Sequence, residues 1–246
     1  MRPNHSRICI LLASTWLLAM TVATAQTPRF QPLVTGQFPG SAQYVEGLVY
    51  VGLQMGGLVE WDPGAETTRR QFTRAQGLGG HFVQDLAWSG VHLWVATSDG
   101  GLTAIADPGG TQESLRIFSS AIASLDVTTV TGQLIGTTER VYYGTNGAGI
   151  GEIVSGLPGA FYSIQDGLID DTIDDMVLSG DLLLVATPSG LSRFAENTFT
   201  NYPYGDADTE AVVALERDAD GNVWAATRSG VKRWNDETRS LETVLA

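Results

Sequence analysis

From about position 40 onward, apolar residues fall in short alternating runs, not at the 3.6-residue spacing of helices. Leu93-Trp94-Val95-Ala96-Thr97 and the run from Leu182 to Thr187 are rich in β-formers and bounded by Ser, Asp, Gly or Pro, and so predict strands. One pattern recurs along the chain. An aromatic or large apolar residue (Tyr50, Trp94, Tyr142, Leu184, Trp224) stands two places before a small one (Gly52, Ala96, Gly144, Ala186, Ala226). Leu53, Thr97, Thr145, Thr187 or Thr227 follows, and three residues later comes Gly56, Gly100, Ala148, Gly190 or Gly230. Each copy closes with an apolar pair three apart: Leu58/Trp61, Leu102/Ile105, Ile150/Ile153, Leu191/Phe194 and Val231/Trp234. The small residues succeed one another at intervals of 44, 48, 42 and 40.

Periods of this length that carry several short strands are those of β-propeller blades. The expected fold is therefore all-β, a propeller of four-stranded antiparallel blades. The five repeats form either a closed five-bladed ring or part of a larger one. The blades fall at roughly 37–78, 79–120, 121–168, 169–208 and 209–246, within a domain spanning 26–246. The third is the least regular, with an inserted turn expected at Gln133–Thr138. Gly at each hairpin tip supplies φ > 0. The Gly/Ala position lets neighbouring sheets approach closely, so a large residue there, at Ala226 for example, is expected to destabilise the fold. Tyr50, Trp94, Tyr142 and Trp224, placed mid-strand, read as core, each contributing roughly 2–3 kcal/mol on burial.

Residues 1–25 combine Arg2, His5 and Arg7 with an apolar stretch from Ile8 to Met20 and end in Ala23-Thr24-Ala25, which is the pattern of a secretory signal peptide. The expected localisation is secreted or periplasmic, with no membrane insertion after cleavage; an uncleaved anchor is the competing reading. The single cysteine, Cys9, lies in this leader, so residues 26–246 hold no disulfide or thiolate site. Loss of Arg2 and Arg7 with the leader takes 14 basic side chains to 12, against 27 acidic ones, a net −15. Such a surface repels phosphate backbones, which argues against nucleic acid as a partner.

The segment Asp218-Ala219-Asp220-Gly221-Asn222-Val223-Trp224-Ala225-Ala226-Thr227, with Gly230-Val231 after it, resembles the repeat of the two-component regulator propeller family. Gly77-Leu78 through Val83 and Gly167-Leu168 through Ile173 are similar to that family's Gly-Leu-x-x-Asn-x-Val element, with His81 and Asp171 in place of Asn. The resemblance implies an extracytoplasmic, sensor-like module, of a kind often joined to a histidine kinase.

Candidate chemistry is sparse. Asp218/Asp220 and the group Asp170, Asp171, Asp174 and Asp175 supply oxygens of the kind calcium takes, although an Asp-x-Asp-Gly-Asn turn also forms without metal and Asp170–Asp175 also reads as a solvated loop. No other cofactor is expected. His81 and His92 have no evident nucleophile beside them. A ligand site is expected where inter-blade loops meet hairpin tips. This groups His81, Asp171, Asp206 and Asp208 from the loops with Asp99, Asn146, Ser189 and Arg228 from the tips. The group is polar and mostly acidic, so it suits a neutral or cationic ligand, such as an oligosaccharide or a basic peptide, or a protein partner. The function expected is non-catalytic ligand or partner binding; the alternative is a propeller-fold enzyme, a lyase or glycoside hydrolase.

Overall fold

A computed structural model of the chain describes residues 39–204, 211–235 and 237–245. The expected signal peptide, Asp206 and Asp208 lie outside them. The described residues form five four-stranded antiparallel sheets, each built from consecutive strands. β1–β4 (Pro39–Val45, Leu48–Leu53, Gly57–Asp62, Thr67–Phe72) and β5–β8 (Val83–Trp88, His92–Thr97, Gly101–Ala106, Ser114–Phe118) make the first two blades. β9–β12 (Val127–Ile135, Thr138–Thr145, Ile150–Val154, Leu157–Tyr162) make the third. β13–β16 (Asp175–Ser179, Leu182–Thr187, Gly190–Ala195, Thr198–Pro203) and β17–β20 (Val212–Arg217, Val223–Thr227, Gly230–Asn235, Ser240–Leu245) complete the set. The innermost strands β1, β5, β9, β13 and β17 all border one axial cavity of about 180 Å³.

Each element of the repeat has a physical role. The small residue receives the β-branched residue that opens the next blade. A Cβ on Gly52 would sit 2.5 Å from Val83 Cγ1, and one on Gly144 would sit 2.5 Å from Ile173 Cγ2. Ala96 shares a buried cluster with Val127, and Ala186 with Val212. The Thr hydroxyl ties down the hairpin tip: Thr97, Thr145, Thr187 and Thr227 Oγ1 donate to the carbonyls of Gly101, Gly149, Gly190 and Gly230 at 2.9, 2.8, 2.7 and 3.0 Å. Residues three apart on a strand face opposite ways. Each closing pair therefore serves two cores, with Leu102 buried against blade three and Ile105 against blade one.

The aromatic position carries a polar tip, and burial obliges that tip to find an acceptor. Tyr50 Oη donates to Glu60 (3.0 Å), Trp94 Nε1 to Glu139 (2.9 Å) and Tyr142 Oη to Glu152 (3.1 Å). Glu139 exists for this purpose because residues 133–138 extend the β9–β10 hairpin and do not form the inserted turn expected from the sequence. The longer hairpin brings Glu139 under Ser89, His92 and Trp94. Burial raises the Glu139 carboxyl pKa, but the hydrogen bonds from His92, Ser89 and Trp94 outweigh it and hold the group below its ordinary value.

Four buried apolar clusters lie between successive blades, and among the described residues none spans blades five and one. Strand β17 does not pack on β1 as the other inner strands pack on their neighbours. This corrects the reading of Trp224 and Ala226. Their counterparts Tyr50, Trp94, Tyr142 and Leu184, and Gly52, Ala96, Gly144 and Ala186, are buried, whereas both residues of blade five are only half-buried. Trp224 donates to Asp218 at 2.8 Å, and among the described residues no following blade packs over it. Trp94→Ala is therefore expected to cost about 3–5 kcal/mol and Ala96→Leu about 1–3 kcal/mol. Trp224→Ala and Ala226→Leu should each cost clearly less than the matching change, as read from urea-unfolding midpoints.

Candidate functional site

Inter-blade loops and the β2–β3-type hairpin tips meet on one face of the ring, where the chain braces itself. After β4, Thr73 caps a short 3-10 turn, Gly77 takes φ +96° and Leu78 turns into the core. After β12, Ser163, Gly167 (φ +101°) and Leu168 repeat the arrangement. The Gly-Leu element thus marks a left-handed residue followed by a plug.

Most of the site residues expected from the sequence take part in this bracing. Asp99 Oδ1 accepts from the backbone of His81 (2.9 Å) and Phe82 (3.1 Å), and its Oδ2 pairs with Arg74 (2.9 Å). The His81 carbonyl receives the Gly57 N–H at 2.9 Å, leaving an exposed imidazole. Asn146 donates to Asp126 at 2.9 Å, and Asp171 Oδ1 accepts from Ile164 N at 2.8 Å. Ser189 donates to Asp170 at 2.5 Å, a bond that holds the Asp170 carboxyl below its usual range. Arg228 is exposed on the last tip. The structure brings together Asp99 with His81, and Ser189 with Asp170 beside Asp171. The pairs are spread around the ring, two blade junctions apart, and do not converge on a single pocket.

The expected acidic groups behave in different ways. Asp218 is bonded by Asp220 N, Asn222 N, Asn222 Nδ2 and Trp224 Nε1 at 2.8–3.0 Å. The bonds from Trp224 and Asn222 hold its carboxyl at about 2. Asp175 is not part of a solvated loop; it belongs to β13 and borders the axial cavity. Among the described residues, no three His, Cys, Asp or Glu side chains are grouped to hold a metal ion.

At the axis lies a ring of short, mostly polar side chains. The residue paired with each small position reads Ser41, Asp85, Thr129, Asp175 and Ala214 around the ring. Asp85 Oδ2 accepts from Val130 N (2.9 Å) in the next blade, and Asp175 Oδ2 accepts from Leu215 N (2.6 Å). Each carboxylate thereby fastens its blade to the one that follows. Thr129 Oγ1 lies 3.0 Å from Asp85 Oδ2 and 3.2 Å from Asp175 Oδ1, bridging the two. Burial, and after it the Asp85 charge, pushes Asp175 up to about 7. The signal in the sequence is a polar residue two places after three of the four β-branched knobs, Val83/Asp85, Val127/Thr129 and Ile173/Asp175, with Ala214 after Val212 as the exception.

Antiparallel four-stranded blades around an axial cavity define this chain as a β-propeller. No family model matches the sequence, and no curated protein matches it. Among solved structures, the chain is similar to extracellular domains assigned to hybrid two component systems of B. thetaiotaomicron. BT3049 aligns with a TM-score of 0.65 and 18% identity over 83% of this chain, and BT4673 with 0.60 and 15% over 88%. In both cases the aligned part is 29% of that chain, so this protein spans under a third of the extracellular domains it resembles. The Cps50 (Swd1) β-propeller domain of Myceliophteria thermophila aligns with a TM-score of 0.57 and 12% identity, over 81% of this chain and 67% of its own. No helix among the described residues is long and apolar enough to cross a membrane.

The axial pair gives a pH signature. The folded pKa of Asp175 lies above its unfolded value, so the stability it contributes is complete below the unfolded pKa of 3.8 and is lost as pH rises through about 7. Unfolding free energy measured by urea from pH 4 to 8 is expected to carry this decline, and Asp175→Asn is expected to remove it. In Asp85→Asn, the Asp175 carboxyl should titrate lower by carbon-13 NMR.

Proposed function

We propose that this chain is an extracytoplasmic, sensor-like propeller that holds a protein or peptide partner on its loop face and performs no chemistry there. The observation that carries the reading is the surface of that face. Large apolar side chains stand exposed on it from successive junctions: Met55 on the first tip, then Phe82, Leu125 and Ile164 in the loops, and Val213 at the start of β17. Their exposure ranges from 39% to 64%. The loops under them are pinned by the Asp99, Asp126 and Asp171 bonds, so ordering them on binding costs little conformational entropy. Apolar anchors among acidic side chains suit a partner with apolar residues flanked by basic ones.

In this reading His81, Asp99, Asn146, Asp171, Ser189 and Arg228 form the polar rim. The similarity to extracellular sensor domains supports an extracytoplasmic setting, as does the leader-like sequence of residues 1–25. Neither a bound metal nor another cofactor has a part in it.

Peptides selected from a displayed random library on residues 26–246 are expected to carry basic and aromatic residues. They should bind at least roughly tenfold more weakly to Phe82→Asp/Leu125→Asp than to the parent, and at least a few-fold more weakly to Asp171→Ala/Arg228→Ala. Peptides that bind all three proteins equally would refute the loop-face reading. Release of product from polysaccharide substrates by the purified chain would replace it with the enzyme alternative.

A further inference from the structure

On the opposite side of the ring from the loop face, the junction of blades three and four opens into a cavity of about 450 Å³. That size falls within the range of small-molecule sites. Its walls include Arg140, Tyr142, Glu152 and Tyr162 from blade three, with Asp181 and Glu196 from two turns of blade four. From these residues we infer a second site, one that binds a single neutral pyranose unit of a saccharide. It lies apart from the partner-binding face and goes beyond that reading.

The equivalent niche is filled at the two preceding junctions. Between blades one and two, Glu60 accepts from Tyr50 Oη and Arg70 and lies 3.4 Å from Arg69, while Glu113 from blade two closes over Arg70. Between blades two and three, Glu139 is occupied by Trp94, Ser89 and His92. At the third junction Glu152 receives Tyr142 Oη, and Arg140 Nε stays 3.4 Å away without forming a hydrogen bond. The turn of blade four that corresponds to the Glu113 loop presents Glu196 and Asn197, and among the described residues the side chains of Asp181, Glu196 and Asn197 bond to no other residue. The third junction therefore keeps an open pocket where its neighbours have a completed network.

Three carboxylates call for hydrogen-bond donors and disfavour an anionic ligand. Arg140, with a side chain 38% exposed, and Asn197 offer donors that need acceptors. A hydroxyl group is both donor and acceptor, and a ligand bearing several of them satisfies both sets. An ammonium or guanidinium ligand has no acceptor to offer Arg140. The aromatic wall is rigid: Tyr162 packs on Phe194 at 4.8 Å and on Phe199 at 5.8 Å between ring centroids. The half-buried Tyr162 ring presents an apolar surface to the C–H face of a pyranose.

Saturation-transfer-difference NMR on residues 26–246 tests this with the methyl pyranosides of glucose, galactose, mannose and xylose, and with methylguanidinium as the cationic probe. At least one pyranoside is expected to receive saturation at its ring protons, with a dissociation constant on the order of 1 mM. The signal should weaken roughly tenfold in Tyr162→Ala and in Glu152→Gln, both checked for an unchanged circular dichroism spectrum. It should persist in Asp171→Ala/Arg228→Ala, which separates this site from the loop face. No transfer to any pyranoside, equal transfer in both pocket variants, or binding of methylguanidinium in place of the sugars would overturn the proposal.

Discussion

The structure depends on one steric fit: a β-branched residue at or just before the start of β5, β9, β13 and β17, seated over a Gly or Ala in the middle of the preceding blade. Val83 over Gly52 and Ile173 over Gly144 leave no room for a further carbon. This contact sets the distance between sheets, and the other parts of the repeat follow from that distance. It brings Leu102, Ile150 and Leu191 into van der Waals contact across the gap, buries the aromatic position, and lets an axial carboxylate reach the backbone of the next blade. Where the fit is missing, at Ala226, the blade's Trp224 and Val231 remain half-buried.

Close packing creates a second requirement, since every polar atom it covers needs a partner. The answer differs with distance from the axis. Near the axis, Asp85 and Asp175 accept backbone N–H groups across blade boundaries, and Thr129 links them; burial first, and the Asp85 charge after it, raises the Asp175 carboxyl. Toward the outside, Glu60 and Glu139 take the phenol or indole donor of the aromatic position; Arg70 pairs with Glu60, and the His92 ring lies within hydrogen-bond distance of Glu139. The junction of blades three and four meets the same requirement with fewer partners, and its cavity is the consequence.

The blades were legible in the sequence because their fit is local. An aromatic residue, a small residue, Thr and Gly stand at fixed offsets within one hairpin, and strand alternation fixes which face each takes. What stayed hidden depends on pairing across blades. Asp175 read as one of a run of loop acids because four carboxylates stand between 170 and 175; only the strand register puts its side chain at the axis opposite Asp85 and Thr129. Trp224 read as core because its own hairpin is the most regular, while its burial depends on whether another sheet covers it. The Glu139 network depends on the lengthened β9–β10 hairpin, which Gly136 made look like an insertion.

Residue-resolved amide hydrogen exchange at neutral pH tests the steric fit most directly. Among the described residues, blades two, three and four are packed on both faces, and blades one and five on one face only. The account predicts that amides of β6, β10 and β14 exchange only through global unfolding, with those of β2 and β18 exchanging roughly tenfold faster or more. Equal protection in all five central strands would contradict it, because the seat at Ala226 would then be filled like the others.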